Sequence, residues 1–208
     1  AIATCAGSLV LANPNNPDGR RTDPETLLRW KDRRAADDAW LLVDEAFADA
    51  DAAPGMAPHI DDARAMLVFR SFGKFFGLAG LRLGFVVGPR PFLAQLRARL
   101  GAWPVSAAAI AIGTAAYRDS GWIAATRTRL AIDAAALDAL LARRGLAATG
   151  DCPLFRLIET PDAAALFERL ARAAILTRPF AERPDWLRIG LPADADARAR
   201  LDRALAGG

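Results

Sequence analysis

Lysine is nearly absent from this 208-residue chain. Of its 27 basic residues only Lys31 and Lys74 are lysines, and the other 25 are arginines. Histidine occurs once, at His59, and cysteine twice, at Cys5 and Cys152. Each scarcity narrows what the chain can do. A Ser-His-Asp triad or a His-based metal site would have to rest on His59 alone. That residue sits in a Pro/Gly/Asp-rich stretch, which reads as a solvated loop. Two cysteines so far apart match no metal-ligand spacing, so no metal is expected. Idle thiols in a reducing, cytoplasmic setting are the expectation. No apolar run reaches the about 18–20 residues that span a bilayer. The start, Ala1-Ile2-Ala3-Thr4-Cys5-Ala6-Gly7, has no charged leader followed by an apolar core, so no signal peptide is expected. The net charge of +3 comes without a basic block, and nucleic-acid binding is not expected.

What is present is an ordinary globular composition, 53% hydrophobic and 25% charged, with a mean hydropathy of +0.13. The length suits one large or two small domains. Ser8–Ala12 reads as a buried strand running into the turn-rich Asn13-Pro14-Asn15-Asn16-Pro17-Asp18-Gly19. Asp23-Pro24 opens a helix, with Asp as the cap and Pro in the first turn. Further strands are predicted at Trp40–Val43, Ala65–Phe69 and Leu83–Val87. Their continuous apolar character predicts a mostly parallel sheet covered on both faces. The last strand follows its predecessor without a helix, so that pair is antiparallel or joined by a structured loop. From Pro91 the chain turns helical: Pro91–Leu100, a helix capped by Ser106, and a long stretch over Gly121–Arg144 that stops at Gly145. On the long helix Leu130, Ala134, Leu137 and Leu141 share one face. A smaller α+β unit is predicted after it. Its strands are Leu154–Ile158, Ile175–Thr177 and Trp186–Ile189, and its helices are Asp162–Ala173 and Asp194–Ala206.

Ligands of open parallel sheets bind beyond the strand C-termini. There the sequence places Asn16, Asp44, Ser71, Lys74 and Arg82. Singly, each has an ordinary explanation as a turn, a cap or a surface loop residue. A generic phosphate-binding loop is excluded, because the G-x-x-x-x-G-K-[ST] order does not occur.

Taken together, four stretches carry a resemblance. They are Asn13 to Gly19 (NPNNPDG), Val43-Asp44-Glu45-Ala46-Phe47, Ser71 to Phe85 (SFGKFFGLAGLRLGF) and Trp186 to Pro192 (WLRIGLP). In order and spacing they resemble the fold type I pyridoxal-phosphate enzymes of the class I/II aminotransferase family. The resemblance implies an α/β fold: a mostly parallel large-domain sheet, incomplete here, plus a small α+β C-terminal domain. Residues 1–100 would be the C-terminal part of the large, cofactor-binding domain, 101–145 a helical connector, and 146–208 the small domain. The implied cofactor is pyridoxal 5′-phosphate. Lys74 would bond to its aldehyde and move the proton at the substrate α-carbon. An unhindered primary amine can do this, whereas a guanidinium stays protonated and delocalised. Asp44 would keep the pyridine nitrogen protonated, so that the ring draws off electrons. Asn16 would donate to the phenolate oxygen. Ser71 and Arg82 would bind the cofactor phosphate. Arg188 and Arg178 are the candidates for holding anionic groups of the substrate.

Two positions depart from the commonest family pattern. Phe47 stands where many members have Tyr, and Gly73 stands where many have a hydroxyl residue before the lysine. Within the family, the wording around Asp44 and Lys74 is most similar to the threonine-phosphate decarboxylases of cobalamin biosynthesis. These release carbon dioxide from L-threonine O-3-phosphate and leave aminopropanol phosphate. The histidinol-phosphate aminotransferases are the alternative, as is an inactive fragment. In the family a further segment precedes the Asn-Pro loop and helps hold the cofactor phosphate. Roughly a third of the expected fold would be missing by size, and weak cofactor binding is expected of this chain alone. The resemblance also implies a homodimer, a small phosphorylated amino-acid substrate, and neither nucleic-acid nor membrane partners.

Overall fold

A computed structural model describes residues 7–62 and 65–207. Cys5 lies outside the described residues. The chain forms two compact units. Of the described residues, the first takes those up to Asn15 and those between Arg21 and Ile123, and the second takes Asn16–Arg20 and those from Ala124 onward.

In the first unit, β1 (Leu9–Ala12), β2 (Leu41–Asp44), β3 (Met66–Ser71) and β4 (Gly84–Val87) form one sheet in that order. The first three strands are parallel, and β4 runs antiparallel to β3. The open choice for the fourth strand is thus resolved as antiparallel. Helix α1 (Pro24–Ala36) makes the β1–β2 crossover. Its start is fixed as expected, since the Asp23 side chain accepts from the Thr26 N–H at 2.8 Å. Leu27 of this helix packs with Leu41, Val43, Met56, Met66 and Val68 to form the core. Strand alternation sends Leu9 and Leu11 towards that core and Val10 to the other face, where it is 70% exposed. Cover on both faces is therefore not complete among the described residues. Helices α2 (Arg90–Leu100) and α3 (Ala107–Arg118) follow. Ser106 caps α3, its hydroxyl accepting from the Ala109 N–H. The exposed His59 ends a short 3-10 turn, Ala57–His59, between β2 and β3.

Helix α4 (Ser120–Arg143) runs from the first unit into the second. Its predicted face is buried, with Leu130, Ala134, Leu137 and Leu141 joined by Leu140. Gly145, at φ +70°, takes the left-handed turn that ends it. The second unit's sheet is antiparallel, ordered β5 (Ala148–Thr149), β6 (Phe155–Glu159), β8 (Arg183–Gly190), β7 (Arg178–Phe180). Helices α5 (Ala163–Arg172) and α6 (Ala195–Ala206) cover it, and Leu137, Leu141, Ile158, Leu170, Leu187 and Leu201 share its core.

One predicted strand is misplaced. Ile175–Thr177 is not a strand; pairing begins at Arg178. The chain leaves α5 through Ala174 at φ +56°, with the Ile175 N–H still bonded back to the Leu170 carbonyl. Leu176 is 90% exposed while Thr177 is buried, so these residues form an irregular segment between the turn and the ladder. Strand β5 had no sequence signal, being only two residues long.

Candidate active site

The predicted residues divide between the units, and each group is described within its own. In the first unit they stand at the C-terminal ends of neighbouring strands. Asp44 is the last residue of β2, in register with Phe69 on β3 and Ala12 on β1. It is exposed, and its Oδ1 accepts from the Ala46 N–H at 2.9 Å. Among the described residues its other carboxylate oxygen has no partner. Ser71 ends β3, opposite Gly84 of β4. Its hydroxyl oxygen accepts weakly from the Gly73 N–H at 3.4 Å, which leaves its own hydrogen free to be donated.

Lys74 sits in the turn after β3, closed by the Gly77 N–H bonding to the Lys74 carbonyl at 3.1 Å. The side chain is exposed, with Nζ 5.8 Å from the centroid of the Phe47 ring. Among the described residues its ammonium makes no hydrogen bond or ion pair. The aromatic residue at position 47 thus offers the lysine a ring face instead of the hydroxyl that Tyr would supply. Arg82 follows a short 3-10 turn, Ala79–Leu81, in the left-handed conformation at φ +53°. It is exposed, and Nη1 donates to the Ala79 carbonyl at 3.3 Å.

Aromatic packing anchors the lysine turn. Phe72 is fully buried and stacks on Phe76 with centroids 4.5 Å apart. Tyr117 of α3 and Trp122 of α4 close on Phe76 at 4.8 and 5.8 Å, and Trp122 meets Phe75 at 5.4 Å. Gly73 has a steric reason to lack a side chain. A Cβ there would lie 3.0 Å from Ala79 Cα and 3.1 Å from its Cβ. The chain segment ahead of Arg82 fills the place that a hydroxyl residue would need.

Sequence reasoning missed a buried ionic cluster beneath these residues. Arg70 Nε lies 2.8 Å from Glu45 Oε2, an ion pair without hydrogen-bond alignment, and Arg70 Nη1 donates to Asp49 Oδ1 at 2.7 Å. The Tyr117 hydroxyl reaches Asp49 Oδ2 at 3.5 Å. Burial first, and the Asp49 charge second, push the Tyr117 phenol up to about 12. The only signal in the sequence was adjacency, since Glu45 follows Asp44 and Arg70 precedes Ser71.

The second unit holds Asn16, Arg178 and Arg188. The segment Asn16–Arg20 lies on the chain before β6, with the Asp151 N–H bonding to the Gly19 carbonyl at 3.2 Å. Glycine permits this approach. Gly150 is at φ +122°, and a Cβ there would sit 2.3 Å from the Asp18 carbonyl oxygen. Arg188 Nη1 donates to Asn16 Oδ1 at 2.5 Å. Arginine only donates, so the Asn16 oxygen is committed as acceptor and its amide nitrogen remains the donor. Arg178 faces Arg188 across the β7–β8 pair. Arg188 is held below the usual arginine range, first by burial and then by the neighbouring Arg178 charge. Its guanidinium also lies 4.9 Å from the Phe155 ring centroid.

The family model for aminotransferase class I and II matches residues 4–206, and the chain belongs to that family. It is 47% identical over 206 residues to the threonine-phosphate decarboxylase of Sinorhizobium sp., covering 99% of this chain and 61% of that protein. The threonine-phosphate decarboxylase of Pseudomonas aeruginosa is 46% identical over 199 residues, covering 96% of this chain and 60% of that protein. Among solved structures, histidinol-phosphate aminotransferase from Sinorhizobium meliloti in complex with pyridoxal-5′-phosphate superposes with a TM-score of 0.82 at 23% identity. The match covers 95% of this chain and 56% of that one. The chain thus spans about 60% of the length of the curated relatives it matches. The type I fold expected from the sequence is the fold found. No helix among the described residues is long and apolar enough to cross a membrane.

Proposed function

We propose that this chain carries the lysine-bearing part of a pyridoxal-phosphate site and takes part in the decarboxylation of L-threonine O-3-phosphate to aminopropanol phosphate. The observation that carries the reading is Lys74. One of two lysines in an arginine-rich chain, it is exposed beside a strand end, with its amine unengaged among the described residues. The other predicted residues, each within its own unit, have the chemistry the cofactor needs. Asp44 has a carboxylate oxygen to spare for a protonated ring nitrogen. Ser71 has a hydroxyl hydrogen and Arg82 an exposed guanidinium for a phosphate. Asn16 keeps its amide as donor for the phenolate oxygen.

When bound, the cofactor supplies an aldehyde carbon and an electron-withdrawing ring that stabilises negative charge at the substrate α-carbon. Asp44 holds a proton at the ring nitrogen. Lys74 would hold the cofactor through its aldehyde and, as a free amine, would carry a proton at the substrate α-carbon. Arg178 and Arg188 hold the substrate's two anionic groups. A carboxylate that is to leave cannot also be the substrate's fixed handle, so a phosphate handle would suit decarboxylation better than a carboxylate clamp alone. In this reading residues 1–100 belong to the large domain, 101–145 are the connector and 146–208 the small domain. The 46–47% identity to two threonine-phosphate decarboxylases supports this substrate over histidinol phosphate. On the same basis the protein serves cobalamin biosynthesis as a cytoplasmic homodimer.

Product analysis with L-threonine O-3-phosphate and with histidinol phosphate tests the reading. Carbon dioxide and aminopropanol phosphate are expected, lost in Lys74→Ala. Keto-acid-dependent amine transfer without carbon dioxide would replace it with the aminotransferase reading.

A further inference from the structure

We propose that Arg70, gripped by Glu45 and Asp49, is a positioning residue that sets the Lys74 turn relative to the strand end bearing Asp44. The inference rests on reading Lys74 as the amine that bonds the cofactor. It deepens that reading by assigning a role to two buried carboxylates and a partly buried guanidinium that no step of the chemistry uses.

The geometry points to this role because one guanidinium joins the ends of two adjacent parallel strands. Arg70 immediately precedes Ser71 at the end of β3, and Glu45 immediately follows Asp44 at the end of β2. Glu45 is fully buried. Its Oε2 faces Arg70 Nε at 2.8 Å, and its Oε1 accepts from the Met56 N–H at 2.5 Å. Asp49 takes the other side of the fork at 2.7 Å and is itself reached by Tyr117. Each partner therefore belongs to a different stretch: the residue after β2, the 3-10 turn Ala48–Ala50, the loop before β3, and α3. Parting the buried carboxylates from the guanidinium leaves uncompensated charge, so the cluster resists local opening.

The space around it is closed as well. A Cβ on Gly55 would lie 2.5 Å from both Arg70 Nη2 and Glu45 Oε2. Beyond Arg70, the turn is anchored by the buried rings of Phe72, Phe75 and Phe76. Those rings hold the residues on either side of Lys74 by packing on one another and on Tyr117 and Trp122. The hydrogen bond to Asp49 and the ion pair to Glu45 hold the guanidinium between two carboxylates, which fixes where the turn leaves the sheet. Arg70→Lys keeps the charge and loses that geometry.

The lysine scarcity makes the test clean. Lys31 is paired with Asp61 at 2.8 Å, and Lys31→Arg leaves Lys74 as the sole lysine. Reductive methylation of that chain with 13C-formaldehyde gives one lysine dimethylamine signal by NMR, without any cofactor. Arg70→Lys would add an amine, so the variants compared in this background are Arg70→Gln, Glu45→Gln and Gly55→Ala. Asp194→Ala, which removes the cap of α6 in the second unit, is the control for lost stability. The expected result is a shifted Lys74 signal in each cluster variant that melts cooperatively, and an unchanged signal in Asp194→Ala. In the same variants, unmethylated, the affinity for pyridoxal phosphate, read as borohydride-trapped adduct, should fall about tenfold from misplacement of the amine. In unmethylated Arg70→Lys, the affinity should stay as low as in Arg70→Gln. A Lys74 signal at its parent position in a folded Arg70→Gln or Glu45→Gln chain overturns the proposal. If the parent chain traps no pyridoxal phosphate at Lys74, the cofactor reading fails, and the NMR comparison still decides the positioning role.

Discussion

Arg178 on β7 and Arg188 on β8 stand directly opposite each other across an antiparallel pair. Like charges in that relation repel, and burial of Arg188 reduces the screening that would soften the repulsion. A bound dianion removes the conflict. In low-salt buffer without phosphate, Arg178→Gln should therefore raise the unfolding midpoint. Added phosphate should raise the midpoint of the parent chain and not that of Arg178→Gln. Arg188→Ala should weaken binding of L-threonine O-3-phosphate by about 1.5–3 kcal/mol, the scale of a charge-assisted hydrogen bond, read by calorimetry.

Gly73 and Ala79 compete for one space. Gly73→Ser restores a hydroxyl before the lysine but brings a Cβ within 3.0 Å of Ala79. The expected cost is about 1–3 kcal/mol by urea denaturation, as for other overpacked sites. Ala79→Gly removes the 3.1 Å contact with the Ala79 Cβ and should recover part of it, because the 3.0 Å contact with the Ala79 Cα remains. A single Gly73→Ser chain as stable as the parent would contradict the contact.

Tyr117 is the sole tyrosine, so tyrosinate absorbance reports one group. With the phenol pushed up to about 12, that absorbance should stay low past pH 10 and rise late. The unfolded chain ionises first, near the ordinary value of 10.0. The stability linked to this group is therefore fully present below pH 10 and is lost as pH climbs towards 12. Tyr117→Phe should remove that part of the alkaline loss, measured as the melting midpoint against pH.

Ser106 supports the helix that carries Tyr117. Its hydroxyl accepts from the Ala109 N–H at 3.1 Å. Ser106→Ala should cost about 1 kcal/mol of stability, and Ser106→Asp should recover it. Equal melting of parent and Ser106→Ala chains would remove the cap from the account.

Local chemistry already determined much of this protein. Asp23-Pro24, Ser106 and Asp194 stop the chain from starting those helices elsewhere, because their side chains satisfy orphan N–H groups within three residues. The strand ends were legible for a similar reason. Apolar runs give way at Asp44 and Ser71 to polar groups that an open sheet leaves at its C-terminal edge. Lys74 stood out because no guanidinium can take the place of a primary amine. What needed the tertiary structure was pairing. Ile175–Thr177 looked more strand-like than Arg178–Phe180, yet the left-handed turn at Ala174 moved the ladder three residues on. That register, in turn, set Arg178 opposite Arg188. The Glu45–Arg70–Asp49 cluster lay equally beyond reach. Its members are separated by up to 25 positions, and only the parallel register of β2 and β3 brings them together. Caps and strand ends are decided by neighbours along the chain, whereas ion pairs and register are decided by neighbours across it.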